Sequence, residues 1–227
     1  MNNTEYANYL KGKSVALVGP ASSIINSKQA SKIESADIVV RLNKAVPVPS
    51  SLALDIGSRA DIVYNCLYRD IDSGGAIDIN LLKDYGVDWV CSPYPYGVVS
   101  NGYSFDEDIN YFLDLNNETI NFHHINKETY LELEKKLGSR PNTGVSAIID
   151  LLSHQISYLY VTGFTFLETG YYEGYKNMSD AQVLKLNKES GNHKQAPQKL
   201  LIKHILKTDQ RLKIDSVMAK LLKNSGG

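Results

Sequence analysis

The chain has 227 residues, 43% hydrophobic and 22% charged, a length and balance that suit one compact domain and exclude a disordered or fibrous chain. Its 24 lysines and arginines against 25 aspartates and glutamates leave a net charge of -1, which excludes a general nucleic-acid binder, because neutralising phosphates takes an excess of basic side chains. The charge is uneven, since from Lys194 onward eight basic residues stand against only Asp209 and Asp215.

In chain order, residues 1–13 read as a polar N-terminal segment, and the apolar run at 15–18 is too short for a signal-peptide core or a membrane span. The expectation is a cytoplasmic protein. Residues 14–18 read as a buried first strand ending at Gly19-Pro20, residues 29–34 as a short helix, and 37–42 as a second strand. Strands are expected at 60–64 and 87–91, with a helix at 81–85 between them. Cys66 and Cys91 lack CxxC or Cys/His ligand spacing, so they read as small buried strand residues rather than a disulfide framework or a zinc site.

Further on, residues 106–115 and 127–137 read as helices, the second stopped by Gly138, and 145–153 as an apolar helix after Asn142-Thr143-Gly144. Residues 159–164 suit a central strand, 197–206 an amphipathic helix with Pro197 in its first turn, 212–214 an edge strand, and a last helix starts at Ser216. Short strands alternating with helices predict a Rossmann-like single α/β domain, residues 1–227, with a mostly parallel central sheet flanked by helices. The basic end reads as a solvated helix face, or alternatively as a peripheral contact with an anionic inner membrane or a charged acceptor.

Ligands of open α/β sheets sit at the carboxyl ends of strands, where loops and helix N-termini present N–H groups. Three loops qualify here: Gly19-Pro20-Ala21-Ser22-Ser23 after the first strand, Arg41-Leu42-Asn43-Lys44 after the second, and Asn142-Thr143-Gly144 opening a helix. Each has an ordinary counterpart, a simple turn for Gly19-Pro20 and an N-cap for Asn142 or Thr143. Neither a GxGxxG fingerprint nor a GxxxxGK[ST] loop is present, which disfavours dinucleotide and P-loop readings. Two Asp-x-Asp matches, at Asp70-Ile71-Asp72 and Asp106-Glu107-Asp108, read as exposed acidic caps more than as metal ligands.

Taken in order, these segments resemble the sialyltransferases of glycosyltransferase family 29 and their bacterial relatives that use CMP-sugars. Residues 15–20, 33–45 and 55–61 are similar to the long sialylmotif, 140–144 through 161–164 to the short one, and Tyr171-Tyr172-Glu173-Gly174-Tyr175 to the aromatic third motif. Gly191-Asn192-His193 is similar to the approach to the family's catalytic histidine. The chain departs from the pattern at Pro20, where the family has a donor-contacting Asn, at Val15 and Ile156, where it has cysteines, and at Gln198, where it has a glutamate.

The resemblance implies a variant GT-A fold and transfer of a sugar acid, of sialic acid or Kdo type, from a CMP-activated donor to a hydroxyl of a glycan or lipid-linked saccharide. It implies no cofactor and no metal, because CMP leaves with one phosphate that amides and hydroxyls can stabilise. It implies donor contacts at Gly19, Pro20, Ala21, Ser22, Asn43, Asn142, Thr143, Gly144, Gly163, Phe164 and Tyr172, with residues 165–195 as a flexible acceptor-side lid. His193 is implied as the general base or as a ligand of the leaving phosphate and Glu173 as an assisting carboxylate, while a retaining enzyme would need a carboxylate somewhere in the chain as nucleophile. His123, His124, His154 and His204 carry no motif and read as surface or helix-face residues. Alternatives are another Rossmann-like cofactor enzyme, weakened by Arg41-Leu42-Asn43 where an acidic ribose ligand belongs, and a non-catalytic glycan-binding relative.

Overall fold

The computed structural model describes residues 3–67, 77–94, 104–176, 178–190 and 193–223. Its strands are β1 (Ser14–Val18), β2 (Ile38–Leu42), β3 (Ile62–Tyr64), β4 (Trp89–Ser92), β5 (Asn121–His124), β6 (Tyr158–Thr162) and β7 (Leu212–Ile214). They form one seven-stranded sheet in the order β5-β4-β3-β2-β1-β6-β7, and every pairing is parallel. The helices are α1 (Asn3–Leu10), α2 (Ala30–Glu34), α3 (Ala53–Ile56), α4 (Ile79–Asp84), α5 (Phe105–Asn116), α6 (Lys127–Leu137), α7 (Thr143–Ser153), α8 (Asp180–Ser190), α9 (Gln195–Thr208) and α10 (Ser216–Lys223). No described helix is long and apolar enough to cross a membrane.

Strands covered on both faces read as unbroken apolar runs, and β1 and β2 are of that kind. Val15 and Leu17 point into a core shared with α7 and α9, whereas Ala16 and Val18 meet Ile24, Ile33, Ile56 and Tyr172 on the other face. The exception inside β2 is Arg41, which is buried but donates to the carbonyls of Ile56 and Arg59, so its guanidinium is satisfied without a carboxylate. Cys66 and Cys91 are buried free thiols. Val15 and Ile156, at the family's cysteine positions, are buried core residues.

Several helix boundaries follow from caps. Asn126 accepts from the Thr129 N–H to start α6, and Gly138 ends it in the left-handed region at φ 60°. Elsewhere the chain differs from the sequence expectation. Residues 3–10 form α1, whose Tyr6 and Leu10 lie one turn apart and are fully buried. β5, with the sequence NFHH, lacks the β-branched residues that signal a strand and takes its conformation from edge pairing with β4. α7 starts at Thr143 rather than 145, and β6 stops at Thr162 because Gly163 turns to φ 75°. Within residues 165–195, 180–190 form α8, and Tyr172 and Tyr175 are buried.

Candidate active site

In the sheet, β1 lies between β2 on one side and β6 on the other, so chain connections diverge there and leave a crevice at the carboxyl ends of these strands. A cleft of about 270 Å³ opens at that point. Its wall comes from the loops after β1 (Pro20, Ala21), β2 (Asn43, Lys44), β3 (Cys66) and β4 (Tyr94), from Arg140 and Asn142–Gly144 at the head of α7, and from residues 163–167 and 169–171 after β6. Tyr175, Lys176 and His193 complete it. The described lining holds Lys44, Arg140 and Lys176 and no aspartate or glutamate, so its electrostatics favour an anionic occupant.

Glycines set the close approach of β1 and β6 beneath the cleft. A Cβ on Gly19 would overlap the Gly163 carbonyl and the Phe164 ring, and a Cβ on Gly144 would overlap the same ring. Asp215 fixes this junction from behind. Its Oδ2 accepts from the Gly163 N–H at 3.0 Å and the Thr162 hydroxyl at 2.8 Å, while its Oδ1 accepts from Met218 N at 2.7 Å to cap α10. The segment after β1 is also laced to residues 170–172, with Ser22 N donating to the Gly170 carbonyl and Tyr172 N to the Pro20 carbonyl.

Asn43 sits at φ 50°, a conformation that Asn tolerates better than most residues. Its Oδ1 accepts from Cys66 N at 3.1 Å and its Nδ2 donates to the Tyr175 hydroxyl at 3.3 Å, tying the second loop to the aromatic segment. Asn142 is the N-cap of α7, its Oδ1 accepting from Val145 N at 2.8 Å, and it also lines the cleft. Thr143 Oγ1 lies 3.2 Å from the Tyr94 hydroxyl. The positive end of α7 therefore faces the cleft through Asn142, Thr143 and Gly144.

His193 lies at the cleft wall, half-buried, with Nδ1 3.0 Å from the Arg140 carbonyl. A carbonyl can only accept, so Nδ1 carries the proton and Nε2 keeps a free lone pair. Burial, assisted by the Arg140 charge, holds the imidazole pKa below its ordinary 6.5, although the carbonyl bond works in the opposite direction. Gln198 braces the same turn while fully buried, its Oε1 accepting from Asn142 N at 3.0 Å and its Nε2 donating to the Lys194 carbonyl at 3.1 Å. It thereby links the head of α7 to the segment that presents His193.

Of the residues expected to bind donor, Pro20, Ala21, Asn43, Asn142, Thr143, Gly144, Gly163 and Phe164 line the cleft together with His193. Gly19 and Ser22 lie behind that lining. Tyr172 packs in the core with Tyr160 and Tyr175, where burial raises its phenol pKa to about 12. The structure brings Tyr171 and Tyr175, not Tyr172, to the wall, and Glu173 is exposed and does not line it. Gly191, Asn192 and Asp70-Ile71-Asp72 lie outside the described residues. Asp106-Glu107-Asp108 begins α5, where Ser104 and Glu107 form a capping box away from the cleft lining. The sequence places Lys44 in the loop after β2 and Arg140 in the motif before α7 without marking either charge as part of the site, and it gives no signal for Lys176.

Neither a family model nor a curated protein matches the sequence. Solved structures do match in three dimensions. The sialyltransferase CstII from Campylobacter jejuni in complex with the substrate analogue CMP-3FNeuAc has a TM-score of 0.60 at 14% identity, with 92% of this chain and 85% of that one covered. The fold is that of the sialyltransferases. A mammalian sialyltransferase in complex with a Gal-beta-1-3GalNAc derivative gives 0.54 at 13% identity, over 92% of this chain and 71% of that one. CstII in complex with a trisaccharide acceptor and CMP gives 0.56 at 13% identity, over 88% and 80%. Within this sialyltransferase fold, the carboxyl-end crevice beside β1 is where an α/β sheet of this topology takes its ligand.

Proposed function

We propose that the protein is a glycosyltransferase that moves a sugar acid, of sialic acid or Kdo type, from a CMP-activated donor to a hydroxyl of a glycan or lipid-linked saccharide. The observation that carries this reading is the cationic cleft, with no carboxylate among its described lining residues, where the N-terminus of α7 and a neutral His193 converge. The likeness to sialyltransferases that bind CMP and a CMP-sugar analogue supports it. In this reading His193 Nε2 takes the acceptor proton as the acceptor oxygen bonds to the anomeric carbon and the bond from that carbon to the CMP phosphate oxygen breaks. The leaving phosphate is stabilised by the head of α7 and the flanking cations, a role that needs no metal ion. Exposed Lys207, Lys213, Lys220 and Lys223 suit contact with a negatively charged surface near the acceptor, such as an anionic membrane.

CMP is expected to stabilise the fold in the presence of EDTA. At ~100 times its dissociation constant a ligand adds about 2.7 kcal/mol, readily read as a thermal shift. Thr143→Val, which removes a hydroxyl at the head of α7 without changing its shape, should weaken CMP by about 1–2 kcal/mol and leave the far-UV spectrum unchanged. Stabilisation that requires Mg²⁺ or Mn²⁺, or a larger effect from UDP or GDP, would overturn the donor assignment.

A further inference from the structure

Away from the cleft, the other end of α7 carries a polar cluster that the proposed reaction does not use. Asp150 and His154 stand four residues apart, at the last turn and the C-cap of α7, and therefore share a face. Across from them is His123, the one buried position of β5. His123 Nε2 is 3.0 Å from Asp150 Oδ2, His154 Nε2 is 3.9 Å from Asp150 Oδ1, and one ligand atom from each residue lies within 4.8 Å of the others. The side chains of His123 and Asp150 are each 4% exposed and that of His154 is 15% exposed. None of the three lines the cleft.

The hydrogen bond of His123 with Asp150 leaves this cluster unfinished. His154 Nε2 is buried with no hydrogen-bond partner among the described residues, and at 3.9 Å it is beyond hydrogen-bonding reach of the carboxylate it faces. The surroundings have the form of an outer shell. Tyr64 donates to Asp150 Oδ2 at 2.5 Å, Tyr6 lies 3.0 Å from the Tyr64 hydroxyl, and the Tyr6 ring stacks on His123 at 4.0 Å and meets His154 edge-on at 5.2 Å. Ligand atoms ~2.1 Å from a tetrahedral zinc lie roughly 3.4 Å apart, a spacing the set reaches by small side-chain shifts from the 3.9 Å between His154 Nε2 and Asp150 Oδ1 and the 4.8 Å that bounds all three ligand atoms.

We propose that His123, Asp150 and His154 form a structural site for a divalent transition metal of the zinc class, bound by His123 Nε2, His154 Nε2 and Asp150 Oδ1 with a water as the fourth ligand. Two imidazoles and one carboxylate suit Zn²⁺ or Co²⁺ and not the oxygen-seeking Mg²⁺ or Ca²⁺. Tyr64 then holds the second carboxylate oxygen and orients the ligand. Binding moves the His123 ring proton from Nε2 to Nδ1. The metal would clamp β5, an edge strand with weak intrinsic preference, to α7, and the Tyr6 ring would seat α1 over it.

The test uses the full chain, produced in zinc-supplemented medium, desalted, and measured for bound metal by mass spectrometry. After chelation and desalting it is titrated with Zn²⁺, followed by thermal unfolding, and with Co²⁺, followed by visible absorption. One equivalent of metal, the visible bands of four-coordinate Co²⁺ and a Tm raised by several degrees are expected. His154→Gln, at a partly exposed helix end, should keep its far-UV spectrum and lose more than ~100-fold in affinity, because disturbing a mere supporting partner already costs ~10–100-fold. Its CMP-induced shift in EDTA should equal that of the wild type, since the two sites share no residue. Protein that holds no metal and gains no stability from Zn²⁺ or Co²⁺ would reduce the cluster to the His123 and Asp150 hydrogen bond and overturn the proposal. Binding undiminished in both His154→Gln and His123→Gln would also overturn it.

Discussion

Replacing His193 with glutamine is expected to lower turnover by ~10²–10⁴, the range over which general acid-base catalysis acts, while CMP affinity changes little. The direction follows from the imidazole's surroundings. Nδ1 donates to the Arg140 carbonyl, so the nitrogen left for chemistry is an acceptor, and burial keeps the ring neutral at pH 7. Glutamine can repeat the donated bond but cannot take a proton. The wild-type rate should fall as pH drops through a pKa below 6.5 and stay flat above it, because the neutral ring is the active form. If the ring instead gripped the phosphate as a cation, turnover and CMP affinity would fall together and the rate would rise on acidification. Wild-type turnover in the variant would remove His193 from the mechanism.

The second large effect is on stability. Asp215→Ala should cost about 3–4 kcal/mol, because it strips a carboxylate that accepts from Gly163 N, the Thr162 hydroxyl and Met218 N inside the protein. In a chain of this size that corresponds to a fall in Tm of roughly 10 °C. CMP binding should weaken as well, since the Gly163 turn forms part of the cleft wall. Asp215→Asn keeps the shape and one acceptor oxygen and should lie between the two. A loss under about 1 kcal/mol in the alanine variant would mean that water replaces all three bonds without strain.

Whether each element was legible in the sequence depended on where its driving force lay. β1, β2, α6, α10 and the edge strand β7 carry their own signals, in buried apolar runs, an Asn cap, a stopping glycine and amphipathic spacing. β5 does not, because pairing with β4 rather than residue preference makes it a strand. α1 was hidden because two buried side chains among polar neighbours make too thin a stripe to register. The same division holds at the cleft. Residues whose backbone must approach a ligand, such as Asn142–Gly144 and Gly163, are marked by small size and by position after strands. Tyr171, Tyr172 and Tyr175 look alike in sequence, and only the pairing of Ala21 with Tyr171 decides which of them faces inward. His123 looked like a surface residue because an edge strand of low propensity gives no hint of burial.

The central claim, transfer of a sugar acid from a CMP-activated donor, is tested most directly by mass-spectrometric analysis of products. The purified chain is incubated in EDTA with a panel of CMP-sugars, UDP-sugars and GDP-sugars and a mixed glycan acceptor set. The account predicts release of CMP together with an acceptor heavier by one sugar-acid residue, seen with the wild type and reduced by ~10²-fold or more with His193→Gln. Turnover confined to a nucleoside-diphosphate sugar, or no turnover with any CMP-sugar while CMP fails to bind, would contradict it.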